Sequence, residues 1–253
     1  MNQRLAQLIA TITICFTLFS GCALTVLFPG SLNQRPDVSG KLLGGDVSVG
    51  LENFVEVTVF DDITTTPPSR IPAGGGASSP TLKTVFPYLP VVNYNLGLFS
   101  MLDIYHTGHY GAKFQFLGQK NKEGWKASIF TGYGTNSSSI SKVSCTGGNC
   151  SGEVKLNGFE YGLSIGHGFN SSSLVYLTAG QQKGDAKSKI TQPTMVYEYD
   201  EKYEHTIVSL GLEFGEQFYF NPEISTTTNS WIMATTTSKK TATTGVVAVG
   251  YKW

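Results

Sequence analysis

From residue 46 to its last residue the chain repeats a two-residue alternation of apolar and polar side chains. That period belongs to strands, not helices. In the last stretch Val247, Val249, Tyr251 and Trp253 share one face, and Val246, Ala248, Gly250 and Lys252 share the other. Further back, Val208, Leu210, Leu212 and Phe214 oppose Ser209, Gly211 and Glu213, and Phe159, Tyr161, Leu163 and Ile165 oppose Glu160, Gly162, Ser164 and Gly166. Gly, Asn, Ser and Pro punctuate the runs, and the pattern predicts ten strands near 46–60, 89–98, 101–107, 110–118, 124–134, 157–167, 173–182, 204–214, 216–226 and 243–253.

The composition of the polar face decides the solvent. A water-soluble sheet turns Lys and Glu outward, but here that face is mostly Gly, Ser, Thr and Asn, and charged residues are only 14% of the chain, against ~25% in soluble domains. Small side chains suit a crowded lumen. A clean apolar face suits lipid, where one Lys or Arg at mid-membrane costs ~2–4 kcal/mol. Lipid also demands that every backbone polar group be paired, which requires closure. The fold expected is all-β: an antiparallel up-and-down transmembrane β-barrel of about ten strands. After residue 30 no apolar run approaches the ~20 residues of a spanning helix.

The connections alternate in length. Short ones fall near 98–100, 119–123, 168–172 and 214–216, and long ones at 61–88, 135–156, 183–203 and 227–242, with 107–109 the one short member of the long class. With the first strand starting in the periplasm, every short link is periplasmic and every long one extracellular, the asymmetry of outer-membrane barrels. One residue fits poorly: Pro222 sits mid-strand on the apolar face and cannot donate to the ladder.

Residues 1–21 read as an export signal, with Arg4 in the n-region and an apolar stretch from Leu8 to Phe19. The stretch Leu18-Phe19-Ser20-Gly21-Cys22 resembles the lipobox of bacterial lipoproteins. The resemblance implies acylation at Cys22, handling by the lipoprotein-sorting machinery, and a lipid-anchored periplasmic tether over 22–45. Residues 46–253 form the barrel domain. The C-terminal Val-Ala-Val-Gly-Tyr-Lys-Trp resembles the last strand of bacterial outer-membrane β-barrels, which implies recognition by the barrel-assembly machinery. In an oxidising compartment Cys145 and Cys150 are expected to form a local disulfide.

Charges on the inward parity are Glu52, Glu56, Asp103, Lys113, Lys126, Glu160, Glu213, Glu223 and Lys252. They predict either a lumen plugged by Lys–Glu pairs with Tyr176, Tyr219 and Phe130, or a narrow polar pore. Tyr94, Tyr105, Tyr110, Trp125, Tyr133, Tyr251 and Trp253 are expected in interfacial girdles. His106 and His109 end strands, and His205 lies among Asp200, Glu201 and Glu204, an arrangement that admits a rim hydrolase. No nucleophile elbow, phosphate loop or metalloprotease motif is present. With 18 basic and 18 acidic residues there is no surplus for nucleic acid. The leading expectation is a non-enzymatic barrel lipoprotein without cofactor or metal, in contact with outer-membrane lipid, acting through surface loops or a narrow lumen. The alternatives are a lipid-anchored soluble lipocalin-like barrel for a small apolar ligand, which would turn Leu210 and Val247 inward, and the rim hydrolase.

Overall fold

The computed structural model describes residues 23–70, 82–84, 89–119, 123–233 and 237–253. The signal stretch and Cys22 lie outside them. The strands are β1 (Leu24–Phe28), β2 (Gly45–Glu52), β3 (Val55–Asp62), β4 (Ser69–Arg70), β5 (Leu82–Thr84), β6 (Leu89–Phe99), β7 (Leu102–His106), β8 (Tyr110–Leu117), β9 (Gly124–Cys145), β10 (Gly148–Asn170), β11 (Ser173–Thr191), β12 (Val196–Phe214), β13 (Phe218–Ile232) and β14 (Thr237–Lys252). Ten of them, β2 and β6 to β14, close into one antiparallel barrel, sealed where β14 pairs with β2 from Val246↔Glu52 to Lys252↔Asp46.

The wall has two heights. β9 to β14 run 15 to 23 residues, whereas β2, β6, β7 and β8 run 5 to 11. Around the lower storey the outward side chains are apolar. On β10, Phe159, Tyr161, Leu163, Ile165 and Phe169 all stand exposed. From Phe159 to Phe169 a strand at the usual tilt climbs ~25 Å, the height of a hydrocarbon band. Rings mark both edges. Tyr94, His106 and Tyr110 contact one another at 5.2 and 4.5 Å at the upper edge, near the Tyr133–Phe159 pair at 5.1 Å. Trp125–His167 at 5.2 Å and Phe218–Tyr251 at 5.0 Å lie at the lower edge. Tyr105 is not in a girdle. It is buried in the lumen, where its hydroxyl donates to Glu160 at 2.9 Å.

Above the band the polarity inverts. Outward positions become charged and pair across strands: Lys183 with Glu204 at 3.0 Å, Lys187 with Asp200 at 3.8 Å, Lys189 with Glu198 at 2.9 Å. Inward positions become a dry core of Cys150, Val154, Leu156, Ala186, Ile190, Tyr203 and Trp231. A second sheet fills this storey: β3 pairs with β1 on one side and with β4 and β5 on the other. It contributes Leu24, Val26, Phe28, Val55, Val57 and Phe60 to the core. Burial of each such side chain is worth roughly 1.5–3 kcal/mol.

Three expectations are corrected. The described residues of 135–156, 183–203 and 227–242 are mostly strand rather than loop, because alternation continues there with the two faces exchanged. The run 46–60 is two strands: β2 stays in the wall, while β3 leaves it, taking Glu56 out of the barrel wall. The stretch 22–45 is not a free periplasmic tether over its described part, since β1 lies in the upper storey and 31–39 are buried within the barrel. Residues 24–62 form one long hairpin whose turn, with Gly44 N–H donating to Lys41 O at 3.2 Å, sits at the lower end. Its arms pair as β1 and β3 above. Below, one arm is the wall strand β2 and the other fills the lumen.

The Cys145–Cys150 disulfide is present, pinning the β9–β10 tip. Leu210 and Val247 face outward, 51% and 48% exposed, opposite to the lipocalin-like expectation. At Pro222 the β13–β14 pairing is intact, but the β12–β13 ladder skips from Gly211↔Glu223 to Phe214↔Phe220 without a change of register. The Asn221 side-chain amide donates to Leu212 O at 2.7 Å, supplying the donor that Pro222 lacks. Asn221→Ala should therefore destabilise the barrel by about 1–3 kcal/mol, and adding Pro222→Val should restore much of it. Midpoints of urea unfolding for the single and double variants check this, and an unchanged single variant would refute it.

Candidate functional site

The lumen is where the functional side chains converge. A ten-strand barrel is wider than one whose inward side chains just fill it, and its inward residues here include Ser128, Ser164, Thr178, Ser209 and Ser225. The space they leave is taken by 29–39, an extended segment without a ladder of its own. Wall side chains satisfy its backbone instead. His205 Nε2 meets Pro29 O at 2.9 Å, Ser31 N–H donates to Glu52 at 2.7 Å, and Thr178 donates to Gln34 O at 2.6 Å. Lower down, Val38 N–H donates to Gln115 at 3.0 Å and Ser39 N–H to Asp103 at 2.7 Å. The fit is close. A Cβ on Gly180 would stand 2.6 Å from a Leu32 methyl, and one on Gly97 would overlap the Ser39 hydroxyl.

The floor of the lumen is electrostatic. Arg35 bridges Asp46, at 2.6 Å, and Glu213, with Asp37 at 3.9 Å. Lys252 shares Glu213, and the guanidinium lies over the Tyr219 ring at 4.7 Å while Tyr219 donates to Asp46 at 3.0 Å. Lys113 stands opposite Asp103 on the neighbouring strand, and Lys126 is buried nearby. At the floor, four cations, Arg35, Lys113, Lys126 and Lys252, thus face four carboxylates, Asp37, Asp46, Asp103 and Glu213. Higher up, Glu223 accepts from Ser31 and Tyr176, and Glu160 from Tyr105 and Gln182.

All the inward wall charges read from the sequence except Glu56 are buried in this lumen: Glu52, Asp103, Lys113, Lys126, Glu160, Glu213, Glu223 and Lys252. Phe130, Tyr176 and Tyr219 are buried beside them. Arg35 and Asp37 escaped the reading, because Pro29 and Pro36 interrupt their stretch and the Glu213 partner is remote in sequence. An Arg–Pro–Asp inside a supposed tether was the available signal.

His205 is no rim base. It is wholly buried, with Nδ1 on Asn229 at 2.7 Å, Nε2 on Pro29 O and its ring 5.1 Å from Phe28. His106 belongs to the aromatic edge, and His109 lies 3.5 Å from Glu160. Among the described residues no cluster of His, Cys, Asp and Glu is arranged to hold a metal. In the upper storey the hydrogen bond to Glu204 raises the Lys183 ammonium above its ordinary value, and burial pushes the Tyr203 phenol up to about 12.

No family model matches the chain, and no curated protein matches it. Among solved structures it is similar to Ail, the attachment invasion locus protein of Yersinia pestis, crystallised with the heparin analogue sucrose octasulfate. That likeness has 12% identity over 84% of this chain and 100% of that one, with a TM-score of 0.37. It is also similar to the outer membrane protease OmpT from Escherichia coli, at 8% identity over 91% of this chain and 93% of that one, with a TM-score of 0.40.

The floor yields a prediction. Arg35→Met strands Asp46 and part of Glu213 without their cation, a change that costs about 3–5 kcal/mol. The double variant Arg35→Met, Asp46→Asn should recover part of the loss, giving a coupling above about 0.5 kcal/mol. Urea midpoints of the four proteins check it, and strict additivity would refute it.

Proposed function

We propose that this chain is an outer-membrane β-barrel that works without catalysis as a surface-interaction protein, its upper storey projecting from the cell and its lumen kept closed by its own N-terminal segment. The inversion of polarity at one level of the wall carries this reading. An apolar band edged by rings suits a bilayer, and the charged exterior above it suits water. The alternation of short and tall turns supports the tall end as the extracellular one. The specific contacts would then come from the charged faces of β10 to β12 and the disulfide-pinned tip of β9–β10. Small-solute permeation requires 29–39 to leave the lumen against all the contacts described, so it ranks below surface interaction. The base read for a rim hydrolase, His205, is buried and fully engaged, so that reading ranks lower as well.

Two measurements test this together. In planar bilayers the intact protein should give no steady conductance, whereas deletion of 30–39 should give an open channel. On intact cells a membrane-impermeant amine reagent should label Lys187, Lys189 and Lys202. Steady conductance of the intact protein would replace this reading by permeation, and lysine labelling only after lysis would reverse the orientation.

Acylation of Cys22 belongs to the same proposal, with its side changed. Ala23 follows Cys22 and leads into β1 in the upper storey, so an acyl group there would be presented on the outer face, not in the periplasm. An inhibitor of lipoprotein signal peptidase should accumulate the longer precursor, and Cys22→Ser should abolish the effect. A precursor processed normally in its presence would rule acylation out.

A further inference from the structure

The two walls of the molecule do not meet everywhere. On the β9 side the low wall of β6 to β8 stops at the turn 107–109, and β1 of the upper sheet begins its own contact with β9 higher up, where Asn136 donates to Leu27 O at 2.6 Å. Between them is a window into a cavity of about 310 Å3. That volume is at the small end of ligand sites, ~300–1,000 Å3, and suits one acyl chain better than two. Leu27, Phe54 and Val91 give it apolar walls. The outward-facing Val92 and His106 also line it, His106 beside the Tyr94 and Tyr110 rings at the upper edge of the apolar band.

Two polar atoms in this lining have no partner. Asn93 is 5% exposed with its Nδ2 unbonded, and the buried Thr107 Oγ1 is also unbonded. An orphaned buried donor costs about 1–3 kcal/mol, and a ligand oxygen toward which the Asn93 amide turned would relieve it. Among the described residues no Lys or Arg lines the cavity, so a ligand carboxylate buried there would leave its charge unpaired. We infer that the window binds the acyl chain of a neutral amphiphile entering from the membrane, with its ester or amide oxygen accepting from Asn93. The route of entry rests on the membrane reading proposed above.

Photolabelling of the full chain in phosphatidylcholine nanodiscs tests the inference. The probes are monodecanoylglycerol and decanoic acid, each carrying a diazirine on the chain, with sites read by peptide mass spectrometry. Monodecanoylglycerol should concentrate on the peptides holding Val91 to Asn93 and His106 to His109, well above the exterior at Leu210 and Val247, and decanoate should not. Val91→Trp should remove the window label while leaving the exterior label. Asn93→Leu should cut the preference for the ester a few-fold to roughly tenfold, as loss of one hydrogen bond implies. Label spread evenly over the exterior without the window overturns the inference and leaves the membrane reading standing. Label in the window but none at Leu210 and Val247 keeps the binding and removes the membrane route.

Discussion

A β-strand has a single alternation, but along the long strands of this protein the apolar face changes sides partway up. In the membrane setting proposed above, hydrocarbon around the lower storey demands apolar side chains outward, and water around the upper storey demands them inward. The sequence therefore exchanges the chemistry of its two faces partway up. On β11, Leu177 and Ala179 point out below, and Ala186 and Ile190 point in above. Nothing bends or bulges at the crossover: Phe159, Lys183 and Glu204 sit opposite one another in an unbroken ladder. The backbone is continuous because in both media its polar groups are paired across strands.

That exchange dictates what fills each storey. An apolar inner face above needs an apolar filler, supplied by the sheet of β1, β3, β4 and β5. A polar inner face below needs a polar filler, supplied by 29–39. Both fillers belong to the hairpin 24–62 and its continuation, so one local segment answers two opposite demands. Buried ion pairs such as Arg35 with Asp46 and Glu213 are not a source of large net stability, since desolvation offsets their attraction. Their effect is on register: sliding the segment by one residue would strand Arg35, Ser31 and Ser39 away from their carboxylates at the same time.

Closure and strand number were legible because they depend on alternation, which is local. The heights of the strands were not, for a physical reason. Lys183, Asp185, Lys187 and Lys189 alternate with Gly184, Ala186, Ser188 and Ile190 as regularly as any lower run, but charge outside suggests a loop once hydrocarbon is assumed throughout. Tyr105 carried the chemistry of a girdle residue and lies inside, because residue type does not reveal which face a short strand turns inward. The lumen segment was least legible. Its conformation is set largely by Asp103, Gln115, Thr178 and His205, none of them near it in sequence, and prolines hide its periodicity.

The order of the chain bears on how such an object can be assembled. β1 is bonded to β3, and β3 is joined to β2 through Asn53 and Phe54 alone. The filler and the first wall strand are thus arms of one hairpin with near neighbours in sequence, whereas β14 meets β2 across almost the whole chain. Local contacts cost less loop entropy than remote ones, so the hairpin forms at lower cost than the seam. A barrel sealed first would have to admit 29–39 lengthwise, and the apolar upper sheet attached to it could not follow through a polar lumen. On loop entropy alone, the seam between β14 and β2 costs more to form than the hairpin that carries the filler.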